Sequence, residues 1–329
     1  MRAAILKQYG GLENLVIENI QTPPLNADQV LVDVHACGIN FPDLLVISGE
    51  YQFLAPLPFC PGKDAAGVVS AVGKNVTSLK SGDRVLVLLE RGAYAEQVVA
   101  DEKNCFVIPN NMTFIQAASM GLVYQTAHFA LVERGMFRPS EVVMINGAAG
   151  GVGLAAIQIA KGLGARVLAG VRNQDEASVA KQNGADDIID LNVPDLLNSL
   201  REQARDLTGG HGVDVILDPI GGDVFRASLR ALAWKGRMVV IGFAGGEIPE
   251  VKTNYLLLKN ISLSGLQWSD YRDREPERVR WVQQELFELF VEGKIQPHIM
   301  AKYPFENIID ALKLLKEERV QGKLVLTTK

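Results

Sequence analysis

Between Val142 and Val171 the chain reads VVMINGAAGGVGLAAIQIAKGLGARVLAGV, an apolar run, a glycine-rich turn, an Ala/Ile-rich helical stretch and a second apolar run. The turn Ala148-Ala149-Gly150-Gly151-Val152-Gly153 carries a GxGxxG-type spacing with Ala148 at its first glycine position. Gly150 lets a backbone approach a diphosphate, and Gly153 lets a helix pack tightly on the preceding strand. Gly151 and Val152 lie between them, where a helix N-terminus receives an anion. A glycine triplet alone recurs by chance; a β-branched strand before it and a helix after it give it meaning. The chemistry implied is the binding of a dinucleotide.

The elements that must position this turn follow from hydrophobic pattern. From about Asn111 to Ser264, apolar strand signals alternate with helical stretches, the sign of a parallel α/β sheet. The strands are expected at Val142–Ile145, Arg166–Val171, Asp187–Asp190, Val213–Asp218, Arg237–Gly242 and Ile261–Gly265, as in a doubly wound sheet of two halves. Before Asn111 the chain holds short β-branched runs at Val30–Ala36, Ala66–Val72 and Arg84–Leu88, broken by Gly, Pro and Asp, with little helical periodicity. That region reads as a small β-barrel-like domain. Glu277–Glu292 reads as an amphipathic helix, and Gly322–Leu326 as a last strand that the first domain can accept. The expected division is therefore residues 1–120 with 267–329 as one discontinuous domain, and 121–266 as the dinucleotide-binding domain.

Composition narrows the function classes. A chain of 329 residues with 48% hydrophobic and 22% charged residues is ordinary for a globular protein. A formal net charge of -5 and the lack of a basic run argue against nucleic acid as partner. No stretch approaches the roughly 18–20 apolar residues that span a bilayer, and the N-terminal MRAAILKQYGG reads as a first strand rather than a signal peptide. Cys37, Cys60 and Cys105 are odd in number and far apart, which argues against a disulfide framework and for a cytoplasmic protein.

Four segments resemble one family over nearly the whole chain. They are Ala36-Cys37-Gly38-Ile39-Asn40-Phe41-Pro42-Asp43, ending in Asn-x-x-Asp; Pro61-Gly62-Lys63-Asp64-Ala65-Ala66-Gly67-Val68-Val69; Gly82-Asp83-Arg84-Val85; and the turn Asn146–Gly153. The sequence resembles the zinc-independent medium-chain dehydrogenases/reductases of the NADPH:quinone oxidoreductase (zeta-crystallin-like) family. The resemblance implies an α/β protein, a doubly wound parallel-sheet (Rossmann) domain beside a GroES-like β-barrel domain. It also implies a small-molecule acceptor and a homodimer, or a tetramer built from dimers, through the strand Ile261–Gly265. Zinc-dependent members of the superfamily place Cys at the position of Asn40 and His-Glu at Lys63-Asp64. An amide and an ammonium there cannot act as thiolate and imidazole, so no zinc is expected. Cys37 lies three residues before the ligand position and reads as a buried structural cysteine.

For the cofactor, the strand Arg166–Val171 runs into Arg172-Asn173-Gln174 with no acid at its tip, although Asp175 and Glu176 follow closely. A guanidinium there suits the adenosine 2′-phosphate, which favours NADPH over NADH. By resemblance, Thr126 lies near the nicotinamide phosphate and ribose, Gly242-Phe243-Ala244 and Leu266-Gln267 near the nicotinamide, and Lys323 in the GKxVL tail strand, also on the cofactor. Phe243 reads equally well as core. Without a Lewis acid the acceptor must take hydride readily, as quinones and activated alkenes do. Asn40, in place of a metal ligand, is expected to hydrogen-bond a substrate oxygen or a ribose hydroxyl. Tyr51, at an aromatic position of relatives, is expected to stack on a flat substrate or donate a proton, a satisfied half-buried tyrosine being the plain reading. The readings are a quinone reductase, an enoyl-type reductase of enones or acyl thioesters, and, of another class, an NADPH-binding protein with little turnover.

Overall fold

The computed structural model describes residues 1–328. The chain divides into two compact units, one of Met1–Leu122, Ser269–Val291 and Pro297–Lys329, the other of Val123–Trp268 and Glu292–Gln296.

In the first unit, β1 (Arg2–Leu6) and β2 (Leu15–Asn19) form an antiparallel pair. β3 (Gln29–Ile39) is followed by helix α1 (Phe41–Ser48), then by β4 (Asp64–Val72), β5 (Arg84–Leu88), β6 (Gln97–Asp101) and β7 (Cys105–Val107). The helix α1 interrupts a stretch that shows little helical periodicity in sequence. Its signals are terminal: the Asn40 backbone N–H donates to Asp43 Oδ2 at 2.9 Å, Pro42 stands in the first turn, and Gly49 closes the helix at φ 86°. Helix α2 (Phe114–His128) follows β7.

The second unit contains the parallel sheet of β8 (Val142–Ile145), β9 (Arg166–Val171), β10 (Asp187–Asp190), β11 (Val213–Asp218), β12 (Leu232–Val240) and β13 (Ser262–Gly265). Its spatial order is β10-β9-β8-β11-β12-β13, with all neighbours parallel. This is the doubly wound order whose direction reverses between β8 and β11, the place where such sheets bind ligands. Strands buried on both faces read as continuous apolar runs, and Val143–Ile145, Val167–Ala169 and Val215–Leu217 are fully buried here. Helices α3 (Gly151–Gly162) and α4 (Gln174–Gln182) make the crossovers after β8 and β9. β12 starts and ends earlier than Arg237–Gly242. Its register on β11 jumps from Leu232 to Arg237, and Lys235 at φ 63° with Gly236 loops the strand out, a break that pattern alone does not continue through. The Gln158 amide donates to the Gln296 carbonyl at 2.8 Å and its oxygen accepts from the Gln296 N–H at 2.9 Å, which ties Glu292–Gln296 to this unit.

The chain then completes the first unit with the helix Pro276–Val291 and strands β14 (Ile299–Pro304) and β15 (Lys323–Thr327). The sheet runs β14-β15-β3-β4-β5-β7, with β6 also paired to β3. β3 serves β6 through Gln29–Asp33 and β15 through Ala36–Ile39, so the last strand lies beside the start of α1. Val30, Val32 and Val34 alternate into the core with Leu324, Leu326, Tyr94 and Phe305.

Candidate functional site

In the first unit the end of β3, the start of β4 and the start of β15 bring buried polar groups to one place. Asn40 is 3% exposed, Asp64 0% and Lys323 4%, so each must find its partners within the protein. Asn40 Nδ2 donates to Asp64 Oδ1 at 2.8 Å, and Lys323 Nζ donates to Asn40 Oδ1 at 2.6 Å and to the Ile39 carbonyl at 2.7 Å. An ammonium only donates and a carboxylate only accepts, so the orientation of the Asn40 amide follows from its neighbours. Asp64 Oδ2 accepts from the Leu122 N–H of α2 at 3.0 Å. Two glycines make room for that carboxylate. A Cβ on Gly38 would stand 2.5 Å from Asp64 Oδ1, and one on Gly121 2.9 Å from Asp64 Oδ2. Burial pulls the Lys323 ammonium below the usual lysine range, with Asp64 and Asp43 opposing.

Beside this array lies a second layer. Asp43 Oδ2 accepts from Tyr94 Oη at 2.5 Å as well as from the Asn40 N–H, while its Oδ1 has no partner among the described residues. Burial pushes the Asp43 carboxyl up to about 6 and raises the Tyr94 phenol well above its ordinary value. Lys63, also 3% exposed, donates from Nζ to Glu90 Oε1 at 2.5 Å and lies 4.5 Å from the centroid of the half-buried Tyr51 ring. Arg272 donates to the other Glu90 oxygen at 3.1 Å. Cys37 is buried and its Sγ donates to the Ala93 carbonyl at 2.8 Å, in keeping with a structural cysteine.

In the second unit the turn after β8 is held by its own backbone. The Gly150 N–H donates to the Gly147 carbonyl at 3.0 Å and the Ala148 N–H to the Gly170 carbonyl at 3.1 Å. A Cβ on Gly153 would lie 2.3 Å from the Gly147 oxygen, so only glycine lets α3 sit this close to the turn. Helix α3 begins at Gly151 without a side-chain cap, leaving first-turn N–H groups around Gly151, Val152 and Gly153 for an anion. Beneath the turn, Asn146 Nδ2 donates to Asp218 Oδ1 at 2.9 Å and to Ser228 Oγ at 3.0 Å. Asp218 Oδ2 in turn accepts from the Gly221 N–H at 3.1 Å, fixing the turn after β11. Burial raises the Asp218 carboxyl above its usual range.

At the tip of β9 the expectation of no acid is corrected. Glu176, in the first turn of α4, folds back onto Arg172. Its Oε1 accepts from Arg172 Nε at 3.1 Å and Nη2 at 2.9 Å, and its Oε2 from the Arg172 backbone N–H at 2.8 Å. The cause is local: Asn173 caps α4 by accepting from the Glu176 N–H at 2.9 Å, which turns the glutamate toward Arg172 rather than toward solvent. The Glu176 side chain is 10% exposed and that of Arg172 52%.

Gly242, Phe243 and Ala244 follow the end of β12. The Ala244 N–H donates to the Pro219 carbonyl at 2.9 Å, which ties the loops after β11 and β12 together. Phe243 is 38% exposed and so is not core. Leu266 is buried after β13, and Gln267 Nε2 and Trp268 Nε1 are buried without a partner among the described residues. Thr126 is buried on α2. Asn40 and Lys323 are thus in direct contact, and Tyr51 meets the ammonium of Lys63. The glycine turn, Arg172-Asn173, Gly242–Ala244 and Leu266-Gln267 follow the carboxyl ends of four strands of one sheet. Sequence reading did not assign Lys63, Glu90, Arg272, Tyr94 or Asp218 a part in the site, and Asn146 entered it only as the first residue of the glycine-rich turn. Of the former only Lys63, a charged residue in the Pro-Gly-x-x-x-x-Gly segment, carried a signal. No helix of the described residues is long and apolar enough to cross a membrane.

Residues 26–110 match the family model described as alcohol dehydrogenase GroES-like domain, and residues 151–284 the one described as zinc-binding dehydrogenase. The chain is 40% identical to quinone oxidoreductase-like protein 2 of Bos taurus, across 96% of this chain and 89% of that protein. The crystal structure of Escherichia coli quinone oxidoreductase complexed with NADPH matches with a TM-score of 0.91 at 31% identity, covering 99% of this chain and all 100% of that one. CurK enoyl reductase matches with a TM-score of 0.88 at 28% identity, covering 99% and 98%.

Proposed function

This chain belongs to the quinone oxidoreductase-like family of medium-chain dehydrogenases/reductases, and we propose that it passes hydride from NADPH to a quinone without zinc. The observation that carries the reading is the set of partners around Asn40 and Lys63. A catalytic zinc needs about three N, S or O ligands converging on one point. Here the Asn40 amide is spanned between Asp64 and Lys323, and Lys63 brings a cation bound to Glu90. Such residues do not fit a zinc ion.

The second unit fits NADPH. The first turn of α3 receives the diphosphate, with Gly150 at its mouth. Arg172 and Asn173 stand at the tip of β9, where the adenosine ribose of such cofactors is bound. Phe243, with Gly242 and Ala244, and Leu266 with Gln267 border the nicotinamide, and Thr126 its phosphate and ribose. Bound NADPH would supply the hydride. The unpartnered Nε2 of Gln267 is a donor still able to take an acceptor.

The first unit supplies the groups of the acceptor side. Asn40 is a positioning residue: its amide is held on both ends, which keeps the β3–α1 junction rigid. Tyr51 offers a flat ring to a flat acceptor and a hydroxyl able to give a proton. With positioning as the main source of acceleration, acceptors that are already electron-poor are favoured. A second reading, reduction of an activated C=C bond, is favoured by the match to an enoyl reductase over nearly the full length of both chains. Following NADPH oxidation with 1,4-quinones, small enones and enoyl thioesters separates the two. Oxidation by enoyl thioesters alone would replace the quinone reading, and no oxidation by any of them would leave a cofactor-binding protein.

A further inference from the structure

Lys63 is a charge placed where a hydrophobic residue would pack at lower cost. Its side chain is 3% exposed, and burying an ammonium is expensive unless its hydrogen bonds are met. They are met by Glu90 Oε1 at 2.5 Å and by the Glu90 carbonyl at 3.3 Å, and the ammonium lies 4.5 Å from the Tyr51 ring centroid. Glu90 does not neutralise it alone. Its second oxygen is held by Arg272, whose side chain is 6% exposed, so two buried cations share one carboxylate. Asp273, the other partner of Arg272, is 62% exposed and its charge is screened by water. Asp43 is the second buried acid that feels the Lys63 ammonium: burial raises its carboxyl and the ammonium holds it down. Of these groups it is the ammonium that lies against the aromatic ring. Around the ring, Phe53 meets Tyr51 edge-on at 6.5 Å and is 49% exposed, with Leu54 at 45%. An apolar border of this kind lowers local screening.

We propose that Lys63 is a positioning residue that, acting through the ring of Tyr51, stabilises the negative charge arising on the acceptor as it is reduced. The proposal rests on the hydride-transfer reading given above. Addition of hydride to a quinone gives the hydroquinone monoanion, whose extra electron pair is centred on oxygen. One proton, from solvent or the Tyr51 hydroxyl, then completes the hydroquinone, while the cofactor leaves as its oxidised form. A cation on the far side of a ring stacked on the acceptor attracts that anion by its charge and the neutral quinone hardly at all, so the effect falls on the transition state and product. A purely structural lysine would have no such preference.

The test uses the full-length protein and the variants Lys63→Met and Lys63→Arg. Two readouts are compared: kcat and KM for a 1,4-quinone, and the dissociation constants of 1-naphthoate and neutral 1-naphthamide, which undergo no redox reaction. Lys63→Met is expected to lower kcat by about tenfold and to cut the preference for naphthoate over naphthamide by about fivefold, the range for opposite charges several ångströms apart in a partly screened site. NADPH affinity and the KM for quinone should stay within about twofold, and Lys63→Arg should restore most of both losses because it keeps the charge. Unchanged kcat and unchanged ligand preference in Lys63→Met, or a Lys63→Arg variant as impaired as Lys63→Met, would overturn the proposal. If the wild type reduces no quinone, the functional reading fails while the naphthoate preference still decides the role of Lys63. Should Lys63→Met fail to fold, the double variant Lys63→Met/Glu90→Gln removes both charges, and wild-type kcat and ligand preference in it would refute the proposal.

Discussion

Lys323 Nζ lies 2.6 Å from Asn40 Oδ1, joining the last strand of the chain to the start of its first helix across 283 residues of sequence. The contact fixes which end of the Asn40 amide faces Asp64. Replacing Lys323 with Met would leave both Asn40 Oδ1 and the Ile39 carbonyl without their donor. Buried acceptors that lose their partners cost about 1–3 kcal/mol, so the urea midpoint should fall accordingly. An unshifted midpoint would mean that water or relaxation replaces the lysine.

Asp43 gives a pH signature of known sign. Its carboxyl is raised from 3.8 to about 6 by burial, so between those values the native state holds more proton than the unfolded chain. Its contribution to stability is thus full below about pH 4 and lost as pH rises through about 6. Relative to Asp43→Asn, the wild type should lose stability over that window at a slope of up to about 1.4 kcal/mol per pH unit, then run parallel above it. Chemical denaturation across this pH range reads the difference directly. Curves that stay parallel throughout would show that Asp43 ionises as freely folded as unfolded.

The Arg172–Glu176 pair changes what cofactor selectivity should look like. Arg172→Ala should weaken NADPH by roughly 10- to 150-fold, a charge-assisted hydrogen bond of about 1.5–3 kcal/mol, and leave NADH nearly unchanged. Glu176→Gln keeps an acceptor for the Arg172 backbone but removes the competing charge, so NADPH should bind several-fold more tightly, about 1 kcal/mol by the scale of partly exposed ion pairs. Titration of each variant with both cofactors measures this. Equal weakening of both by Arg172→Ala would make the guanidinium a bystander.

How much of this was legible beforehand depends on the kind of signal. β8, β9, β10 and β11 lie at their expected bounds: β8, β9 and β11 because strands inside a parallel sheet leave apolar runs between clear breaks, and the edge strand β10 because an acid stands at each end of its Ile-Ile pair. Helix α1 was missed because an eight-residue helix has too few turns to show a period, although Asn40, Pro42, Asp43 and Gly49 mark both its ends. Glu176 was visible but its direction was not, since that depends on the Asn173 cap. The contacts of Lys63 with Glu90 and Arg272 join segments far apart in sequence, and no local pattern encodes them.

Assembly is a further expectation. Among the described residues β13 pairs only with β12 and so forms one edge of the parallel sheet, where the Gly265 carbonyl accepts from Arg134 Nε at 3.0 Å and Ser262-Leu263-Ser264 remains for pairing. We expect a homodimer in which two copies join through this edge, with a tetramer as the possible higher form. Sedimentation at micromolar concentration should give a dimer or a multiple of it; a monomer would refute the expectation.

The most direct measurement is NADPH oxidation by a 1,4-quinone, followed through the nicotinamide absorbance before and after exhaustive dialysis against a chelator, with zinc determined by elemental analysis. Quinone-dependent turnover, the same rate after dialysis and no stoichiometric zinc are the expected results. One zinc per chain with activity lost on its removal, or a metal-free protein that oxidises NADPH with an enoyl thioester and not with any quinone, would contradict the proposed function.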